Sequence, residues 1–244
     1  MSNAPLHGKV AFITGASRGI GRAVAMRLAG AGCNVALVAR GAESLAETEA
    51  LCRALGVKTL TFAIDVADSD LVANAVKTTI QCLGDLHILV NNAGVMVQSS
   101  ADTADLSDWE RIIRVNLTAV MHTTRHALPW IEKAGGGSVI FIASLSGKTS
   151  HKGSAAYCAS KHGVIGFAGS VFEDVREKGI KVSAICPGFV NTDMITGRNL
   201  DPEKMIQPED VADAVLFVAT FPATGCPTEI VIRPQRTPYI AGVD

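Results

Sequence analysis

The sequence predicts an α/β fold, a single doubly wound domain with a parallel sheet of about seven strands and helices on both faces. Short apolar runs without polar alternation recur along the chain, as in strands that are buried on both faces. Longer helical stretches lie between these runs, and repeated β-α units with right-handed crossovers build a doubly wound sheet. No linker, repeat or low-complexity tract interrupts the alternation. Residues 1–244 are therefore interpreted as one domain, with a core of about 8–233 and a tail of 234–244.

The elements follow one another in a regular order. Strands are predicted at Lys9–Ile13, Asn34–Ala39, Thr59–Ile64, Leu86–Val90, Ser138–Ile142, Lys181–Cys186 and Glu229–Ile232. Helices are predicted near 20–30, 43–55, 69–83, 107–133, 155–178 and 209–220. Gly32 and Gly56 stand where helix C-caps are expected, and Pro208 stands where the last helix opens.

Composition excludes several classes of function. Of the 244 residues, 48% are hydrophobic, which is enough for a large core, and the net charge of −1 gives no electrostatic basis for binding nucleic acid or an anionic membrane. No apolar run reaches the ~18 residues that cross a bilayer, and the N-terminus lacks a signal pattern. The six cysteines are scattered without a C-x-x-C pair, which predicts free thiols in a cytoplasmic protein and no metal site.

A glycine-rich segment joins the first predicted strand to the first helix. It reads Thr14-Gly15-Ala16-Ser17-Arg18-Gly19-Ile20-Gly21. The glycines allow a tight turn and a close approach of the backbone to a pyrophosphate, and the helix N-terminus offers N–H groups to the anion. Because the pattern lies between a strand and a helix in the first β-α unit, it indicates a dinucleotide site of the Rossmann type. A glycine-rich turn without a ligand is the alternative.

A second pattern places a phenol and an ammonium group four residues apart. Tyr157 and Lys161 lie on one face if their segment is helical. A nearby positive charge favours the phenolate and lowers the pKa of the phenol from its usual ~10. The pair therefore predicts a general acid and base for use near neutral pH. By itself this spacing also occurs in helices where a half-buried ring lies beside a solvated amine.

Taken together, the motifs resemble those of the short-chain dehydrogenase/reductase family, over nearly the whole chain from Gly8 to about Ile232. The glycine spacing is Gly-x3-Gly-x-Gly, and Asn91-Asn92-Ala93-Gly94 follows the fourth strand. Asn116, Ser144, Tyr157 and Lys161 fall on the family's catalytic tetrad. Pro187-Gly188-Phe189-Val190-Asn191-Thr192 matches a further motif after the sixth strand.

The resemblance implies a role for each member of the tetrad. Tyr157 would transfer the proton to the carbonyl oxygen, and Lys161 would lower its pKa and hold the ribose hydroxyls of the nicotinamide. Ser144 would donate a hydrogen bond to the same oxygen. Asn116 would locally break the regular bonding of a long helix and hold a water for proton relay.

The resemblance also implies a set of cofactor contacts beyond the tetrad. Asp65 and Val66 would contact the adenine, and Asn91 and Gly94 the adenosine ribose. Val190 and Thr192 would hold the carboxamide. The full set of predicted cofactor-binding residues is Gly15, Ser17, Arg18, Gly19, Ile20, Gly21, Arg40, Asp65, Val66, Asn91, Ala93, Gly94, Tyr157, Lys161, Pro187, Gly188, Val190 and Thr192.

The end of the second strand predicts which nicotinamide cofactor is used. An acidic residue there would bind the adenosine ribose of NAD(H), whereas arginine suits the 2′-phosphate of NADP(H). Arg40 occupies the position, and Arg18 lies in the glycine segment where NADPH-preferring members of the family often carry a basic residue. Glu43 comes three residues later, in the expected first turn of the next helix. The prediction is NADP(H), with NAD(H) as the alternative.

The predicted reaction is hydride transfer between NADP(H) and a carbonyl or secondary alcohol, in the direction of reducing a small ketone, aldehyde or 3-oxo compound. The alternatives are a 3-oxoacyl-[acyl-carrier-protein] reductase, a 3-hydroxy-acid (serine-type) dehydrogenase and a non-catalytic NADP(H) redox sensor. The resemblance implies substrate walls at Val95–Gln98, Leu145–Gly153 and Phe189–Gln207, and Lys148 and His151 are candidates for contact with an acidic substrate. It also implies that helices 107–133 and 155–178 form the interface of a homotetramer or, as the alternative, a homodimer. The small residues expected to allow close helix packing there are Ala155, Ala156, Ala159, Gly163 and Gly166.

Overall fold

The computed structural model describes residues 4–195, 197 and 199–240. Seven strands follow one another along the chain: β1 Val10–Thr14, β2 Asn34–Ala39, β3 Thr59–Ala63, β4 Ile88–Asn91, β5 Gly137–Ile142, β6 Ile180–Pro187 and β7 Glu229–Ile232. Within the described residues, seven α-helices lie between the strands, two of them between β4 and β5: α1 Gly19–Gly30, α2 Ala42–Ala54, α3 Ser69–Leu83, α4 Leu106–Ile113, α5 Ala119–Lys133, α6 Ala155–Val175 and α7 Pro208–Thr220. The predicted α/β fold is confirmed.

The strands form one parallel sheet in the order β3-β2-β1-β4-β5-β6-β7. The strand order reverses between β1 and β4, because β1 pairs with β2 on one side and with β4 on the other. In open α/β sheets, ligands bind in the crevice at the carboxyl ends of the strands at such a switch point. The end of β1 is the glycine segment, and the end of β4 is Asn91.

Two apolar layers cover the two faces of the sheet. Neighbouring residues of β1 point to opposite faces, so Ile13 belongs to the cluster that includes Leu28 of α1 and Val215 of α7. Phe12 belongs to the other cluster, with Ile131 of α5 and Val171 of α6. Burial on both faces explains why the five inner strands read as continuous apolar runs, whereas the edge strands β3 and β7 are partly exposed.

The predicted helix 107–133 is interrupted near its middle. A π-helical segment, Arg114–Thr118, separates α4 from α5. The backbone N–H of Ala119, which follows the segment, donates to the carbonyl oxygen of Arg114, five residues back and not four. One extra residue is thus accommodated and the turn widens. Asn116 lies in this segment and is fully buried, so the predicted break in the helix is present at this residue.

The chain beyond β7 folds back on its own molecule. The backbone N–H of Asp201 donates to the carbonyl oxygen of Pro238 at 2.8 Å, and Leu200 forms an isolated antiparallel bridge with Tyr239. The Tyr239 ring meets Phe189 edge to face, with 5.6 Å between centroids. Residues 234–240 therefore cover the segment that follows β6, while the rest of the predicted tail, 241–244, lies outside the described residues.

Candidate active site

The glycine segment turns from β1 into α1 in a conformation that its glycines permit. Gly15 has φ of +66° and Gly19 φ of +52°, in the region that L side chains rarely adopt. A Cβ on Gly21 would overlap the carbonyl oxygen of Gly15. Helix α1 begins without a side-chain cap and without an acidic residue in its first turn. Its first N–H groups and its dipole are therefore suited to an anion.

Asn92 and Thr14 fasten this segment to the end of β4. The Asn92 side-chain amide donates to the carbonyl oxygens of Thr14 at 2.9 Å and Gly15 at 3.1 Å. The Thr14 hydroxyl accepts from the backbone N–H groups of Asn92 and Ala93. Neither side chain is among the cofactor-binding residues predicted from sequence. The signal was present in the second asparagine of Asn91-Asn92-Ala93-Gly94, but the pattern does not say which of the two amides faces the glycine segment.

Arg22 also holds the glycine segment, through hydrogen bonds to its backbone. Its guanidinium donates to the Ser17 carbonyl oxygen through two nitrogens, at 2.7 and 3.1 Å. It also reaches the Thr48 hydroxyl at 3.1 Å and the Glu47 carboxylate at 2.7 Å, both on α2. The predicted cofactor residue Ser17 is thus held through its carbonyl by a side chain that the sequence patterns did not identify.

The two arginines predicted to bind a 2′-phosphate differ in their surroundings. Arg40 is exposed and follows the last residue of β2, while Glu43 lies in the first turn of α2 as expected. Arg18 is also exposed, but its Nη1 lies 3.0 Å from Oδ2 of Asp193 in the segment after β6. In this structure Arg18 therefore spans the cleft between the glycine segment and that segment.

Tyr157 and Lys161 lie on α6 and are both buried. The Lys161 Nζ is 5.8 Å from the centroid of the Tyr157 ring and donates to the Ile142 carbonyl oxygen at 2.8 Å. Burial lowers the pKa of Lys161 from its ordinary 10.5 to about 8, because the charged form loses its hydration. A proton on Lys161 is thus retained at neutral pH, and its charge lies beside the phenol in a region of weak solvent screening.

Asn116 ties three parts of the site together. Its Oδ1 accepts from the Val95 N–H at 2.8 Å, and its Nδ2 donates to the Val95 carbonyl oxygen at 2.9 Å. The same Nδ2 lies 3.2 Å from the Ser160 hydroxyl, which donates to the Tyr157 carbonyl oxygen at 2.7 Å. A Cβ on Gly94 would lie 3.5 Å from Asn116 Oδ1 and 3.9 Å from Lys161 Nζ. Asn116, Gly94 and Lys161 therefore converge.

Ser144 lies just after β5, at the start of a 3-10 turn, Leu145–Gly147. Its Oγ accepts from the Ser146 N–H at 3.1 Å. A hydroxyl has one donor and two acceptor positions, so this bond fixes the oxygen and does not use its proton. A Cβ on Gly147 would lie 2.7 Å from the Lys161 carbonyl oxygen, which shows how closely the turn packs on α6.

The predicted adenosine contacts lie at the carboxyl ends of β3 and β4. Asp65 is exposed and accepts from the Ala67 N–H at 2.9 Å, while Val66 is buried. Asn91 is buried and donates to the Thr124 hydroxyl at 3.0 Å, and its Oδ1 has no hydrogen-bond partner among the described residues. Their contacts with adenine and ribose stay predictions.

Of the predicted contacts after β6, Thr192 faces the glycine segment. Pro187 ends β6, and the Gly188 N–H donates to the Ile232 carbonyl oxygen at 2.8 Å. Val190 is buried and pairs with Ile206 in a parallel bridge. A Cβ on Gly19 would lie 3.1 Å from Cγ2 of Thr192. The end of β6 and the start of α1 therefore form two sides of one cleft.

The predicted substrate walls also meet one another. A Cβ on Gly153 would lie 3.0 Å from Cγ of Gln98, and the Ser99 N–H donates to the Gly153 carbonyl oxygen at 3.0 Å. Lys148 forms an ion pair with Glu229 of β7 at 2.5 Å, and the bond with Glu229 raises the pKa of Lys148. This pairing favours a structural role over contact with an acidic substrate. In the third wall, residues 196 and 198 lie outside the described residues.

Two other features bear on the class of protein. In the part of the chain that the structure describes, no three His, Cys, Asp or Glu side chains are grouped so that they could hold a metal ion. Among the same residues, no helix has the length and apolar character needed to cross a membrane. The metal-free chemistry predicted from sequence stays a prediction.

Comparison with known proteins identifies the family. The family model described as short chain dehydrogenase matches residues 9–203. The chain belongs to the short-chain dehydrogenase family. It is 36% identical over 228 residues to a 3-oxoacyl-[acyl-carrier-protein] reductase of Synechocystis sp., covering 89% of this chain and 92% of that protein. It is also 34% identical to an uncharacterised oxidoreductase of Staphylococcus aureus, covering 93% and 97%.

Solved short-chain dehydrogenase structures share the fold closely. A carveol dehydrogenase from Mycobacterium avium in complex with NAD superimposes with a TM-score of 0.89 at 29% identity, covering 94% of this chain and 98% of the other. A short chain dehydrogenase from Mycobacterium paratuberculosis bound to NAD gives 0.88 at 30% identity, covering 93% and 97%. The chain is thus an oxidoreductase of this family that acts on CH–OH groups, with NAD(H) or NADP(H) as the cofactor.

The residues present fit a nicotinamide dinucleotide. The uncapped N-terminus of α1 suits the pyrophosphate. Asn92 and Arg22 hold the glycine segment in place through hydrogen bonds within the chain itself. Such preorganisation reduces the cost of binding.

Proposed function

We propose that this short-chain dehydrogenase uses NADP(H) and reduces a small ketone, aldehyde or 3-oxo compound to the alcohol. The observation that carries the cofactor assignment is the end of β2, where the exposed Arg40 stands and the nearest acid, Glu43, belongs to α2. A guanidinium there supports a charge-assisted contact with a 2′-phosphate. Arg18 in the glycine segment supports the same assignment.

The chemistry follows from four side chains. When bound, the cofactor supplies the hydride, and the protein supplies orientation and electrostatics. Tyr157 gives its hydroxyl proton to the substrate carbonyl oxygen, and Ser144 donates a hydrogen bond to that oxygen as negative charge develops. Lys161 places a buried positive charge beside Tyr157. Asn116 positions α6 through Ser160, and its role in a water relay is part of the same proposal.

The binding roles of the cofactor residues belong to this proposal too. Gly15, Gly19 and Gly21 leave room for the pyrophosphate, and Arg18 and Arg40 take the 2′-phosphate. Asp65, Val66, Asn91 and Gly94 bind the adenosine half. Val190 and Thr192 bind the carboxamide. A cytoplasmic location and assembly into a homotetramer, with a homodimer as the alternative, complete the proposal.

The test compares initial rates of NADPH and NADH oxidation across ketones, aldehydes and 3-oxoacyl thioesters. Turnover with NADPH is expected, and Tyr157→Phe should lower kcat by about 10²-fold or more while leaving NADPH affinity nearly unchanged. Arg40→Ala should weaken NADPH binding about tenfold and leave NADH binding unchanged. Preference for NADH in the unmodified protein would contradict the cofactor assignment, and substantial turnover by Tyr157→Phe would contradict the role of the phenol.

The second candidate is a 3-oxoacyl-[acyl-carrier-protein] reductase, which the 36% identity to the Synechocystis protein favours. An acidic carrier protein needs a basic surface near the pocket. Three basic side chains of the surrounding segments, Arg18, Lys148 and Lys204, are instead in ion pairs with carboxylates. This pairing supports a small-molecule substrate. The 3-oxoacyl thioesters in the substrate panel distinguish a small-molecule reductase from a 3-oxoacyl-[acyl-carrier-protein] reductase. Binding of NADPH without turnover of any substrate would favour a redox sensor.

A further inference from the structure

The ion pair between Arg18 and Asp193 joins two segments that are 175 positions apart and lie on opposite sides of the cofactor cleft. Arg18 is the residue before α1, and Asp193 begins a short 3-10 turn, Asp193–Ile195. Both side chains are largely exposed, 72% and 66%. A Cβ on Gly19 would lie 3.1 Å from Cγ2 of Thr192, so the residues next to Arg18 and Asp193 also approach each other. Asp193 is therefore placed within reach of Arg18.

Arg18 has two competing uses in this arrangement. The proposed function assigns its guanidinium to the 2′-phosphate, whereas the structure shows Nη1 bonded to a carboxylate. A guanidinium held on the Asp193 side of the cleft must leave or share that carboxylate before it can meet a phosphate. An exposed ion pair is weak, and a phosphate dianion forms a stronger charge-assisted contact. Exchange of the Asp193 carboxylate for the phosphate is therefore favourable for Arg18. Breaking the ion pair nevertheless reduces the free energy gained when NADP(H) binds.

We propose that Asp193 is a specificity-determining residue whose carboxylate competes with the 2′-phosphate for Arg18 and so lowers the preference for NADP(H) over NAD(H). This inference rests on one part of the proposed function, the contact between Arg18 and the 2′-phosphate when NADP(H) binds. NAD(H) lacks the phosphate and leaves the ion pair intact. Through Arg18, Asp193 therefore weakens the binding of NADP(H) and not that of NAD(H). Any general repulsion by its charge would weaken the binding of both dinucleotides.

The test is a double-mutant cycle read as binding, without turnover. Calorimetric Kd values for NADP⁺ and NAD⁺ are measured for the unmodified protein, Asp193→Asn, Arg18→Ala and the double variant. Asp193→Asn is expected to raise the ratio of the NAD⁺ Kd to the NADP⁺ Kd by two- to fivefold, or about 0.4–1 kcal/mol. In the Arg18→Ala background the same substitution should leave the ratio unchanged.

A matched control is a second exposed ion pair, which joins α1 to α7. Arg27 of α1 and Asp213 of α7 form an ion pair of 2.6 Å with exposures of 52% and 61%, away from the cleft residues described above. Asp213→Asn should leave both Kd values unchanged. It thus separates loss of an exposed ion pair in general from loss of the one that spans the cleft.

The outcomes separate this inference from the proposed function. An unchanged ratio in Asp193→Asn overturns it, as does a lower ratio, which would mean that Asp193 orients Arg18 toward the cofactor. An equal rise in both backgrounds also overturns it, because the effect would not pass through Arg18. If the unmodified protein prefers NAD⁺, the cofactor assignment fails, yet a raised ratio that depends on Arg18 still supports the competition.

Discussion

Lys161 is the residue at which stability and the proposed function conflict most directly. Its ammonium group is buried and bonds the carbonyl oxygen of Ile142. Burial lowers its pKa to about 8 from 10.5, a difference that corresponds to about 3 kcal/mol against the charged form. The folded protein bears this cost at neutral pH in order to hold a positive charge beside Tyr157.

Lys161→Met should therefore abolish turnover but stabilise the fold. At pH 7 we expect the free energy of unfolding to rise by up to about 3 kcal/mol. Below the folded pKa of about 8 the lysine is charged in both states and the cost is constant. Between about 8 and 10.5 the unfolded state binds more protons than the folded state, so the unmodified protein gains stability as pH rises and the advantage of the variant shrinks.

Urea unfolding at pH 7 and pH 9.5 checks this expectation. Lys77→Met, at an exposed lysine of α3, is the control. Its free energy of unfolding should differ from that of the unmodified protein by the same amount at both pH values. A Lys161→Met protein that is less stable than the unmodified one at pH 7 would show that the bond to Ile142 outweighs the desolvation of the charge.

Substitution of Arg22 is expected to act on both cofactors equally. This residue holds the backbone of the glycine segment and lies outside the predicted phosphate site. Arg22→Ala should lower the free energy of unfolding by about 1.5–3 kcal/mol, the usual worth of hydrogen bonds to a charged group. It should also weaken the binding of NADP⁺ and the binding of NAD⁺ by the same factor. Glu47→Gln is the control, because it removes only the exposed ion pair and keeps both bonds to Ser17. A selective loss of NADP⁺ in Arg22→Ala would place Arg22 at the 2′-phosphate.

At the scale of elements, the C-terminal segment 234–240 acts as a strap over the chain that follows β6. Its contacts are the Phe189–Tyr239 ring pair, the Leu200–Tyr239 bridge and the Asp201–Pro238 hydrogen bond. The covered segment contains Val190 and Thr192, which are predicted to hold the carboxamide. We therefore expect order in the strap to be coupled to order in the candidate site.

Removal of the Tyr239 ring should loosen the covered segment. An edge-to-face aromatic pair contributes about 0.5–1.5 kcal/mol, so Tyr239→Ala should speed trypsin cleavage after Lys204 by about two- to tenfold. Tyr239→Phe keeps the ring and should be cleaved at the original rate. Mass spectrometry of the fragments over time measures that one cut. Equal rates for all three proteins would mean that the strap does not hold the segment.

The sequence predicted some elements better than others for physical reasons. The bounds of β2 and β7 are those predicted, Asn34–Ala39 and Glu229–Ile232, because apolar strands with clear breaks are local signals. Helix 107–133 was predicted as one element, and only the resemblance indicated a local break at Asn116. Hydrophobic periodicity does not distinguish a π-turn of five residues from the α-helix around it.

The same contrast holds for the candidate site. Its glycines and its helix-borne Tyr157–Lys161 pair have fixed spacings, so their positions could be predicted from the sequence. The partners of Arg18 and Arg22 could not be predicted from spacing, because each bond depends on how distant segments meet in the folded chain. Tyr239 belongs to the same class, since its partner Phe189 lies 50 positions away.

The whole-molecule question is how copies of this chain assemble. The small residues of α6 expected to allow close helix packing divide into two groups in the structure. Gly163 packs on Leu117 of its own chain and Ala156 is buried, whereas Ala155, Ala159 and Gly166 are exposed. Ala155 and Ala159 line a groove of about 720 Å³ whose other wall includes Trp109 and Ile113. A smooth, exposed face of this kind suits a second helix.

Gly166→Arg tests the proposed assembly. A Cβ at Gly166 meets nothing within 4 Å in the single chain, so a long side chain there leaves the monomer fold intact but prevents close approach of a second copy. Size-exclusion chromatography with light scattering should show the unmodified protein as a tetramer or dimer and the variant as a smaller species. Gly30→Arg, at an exposed glycine of α1 with equal room, should keep the original mass. If Gly166→Arg also keeps it, copies of the chain associate through a surface other than this face of α6.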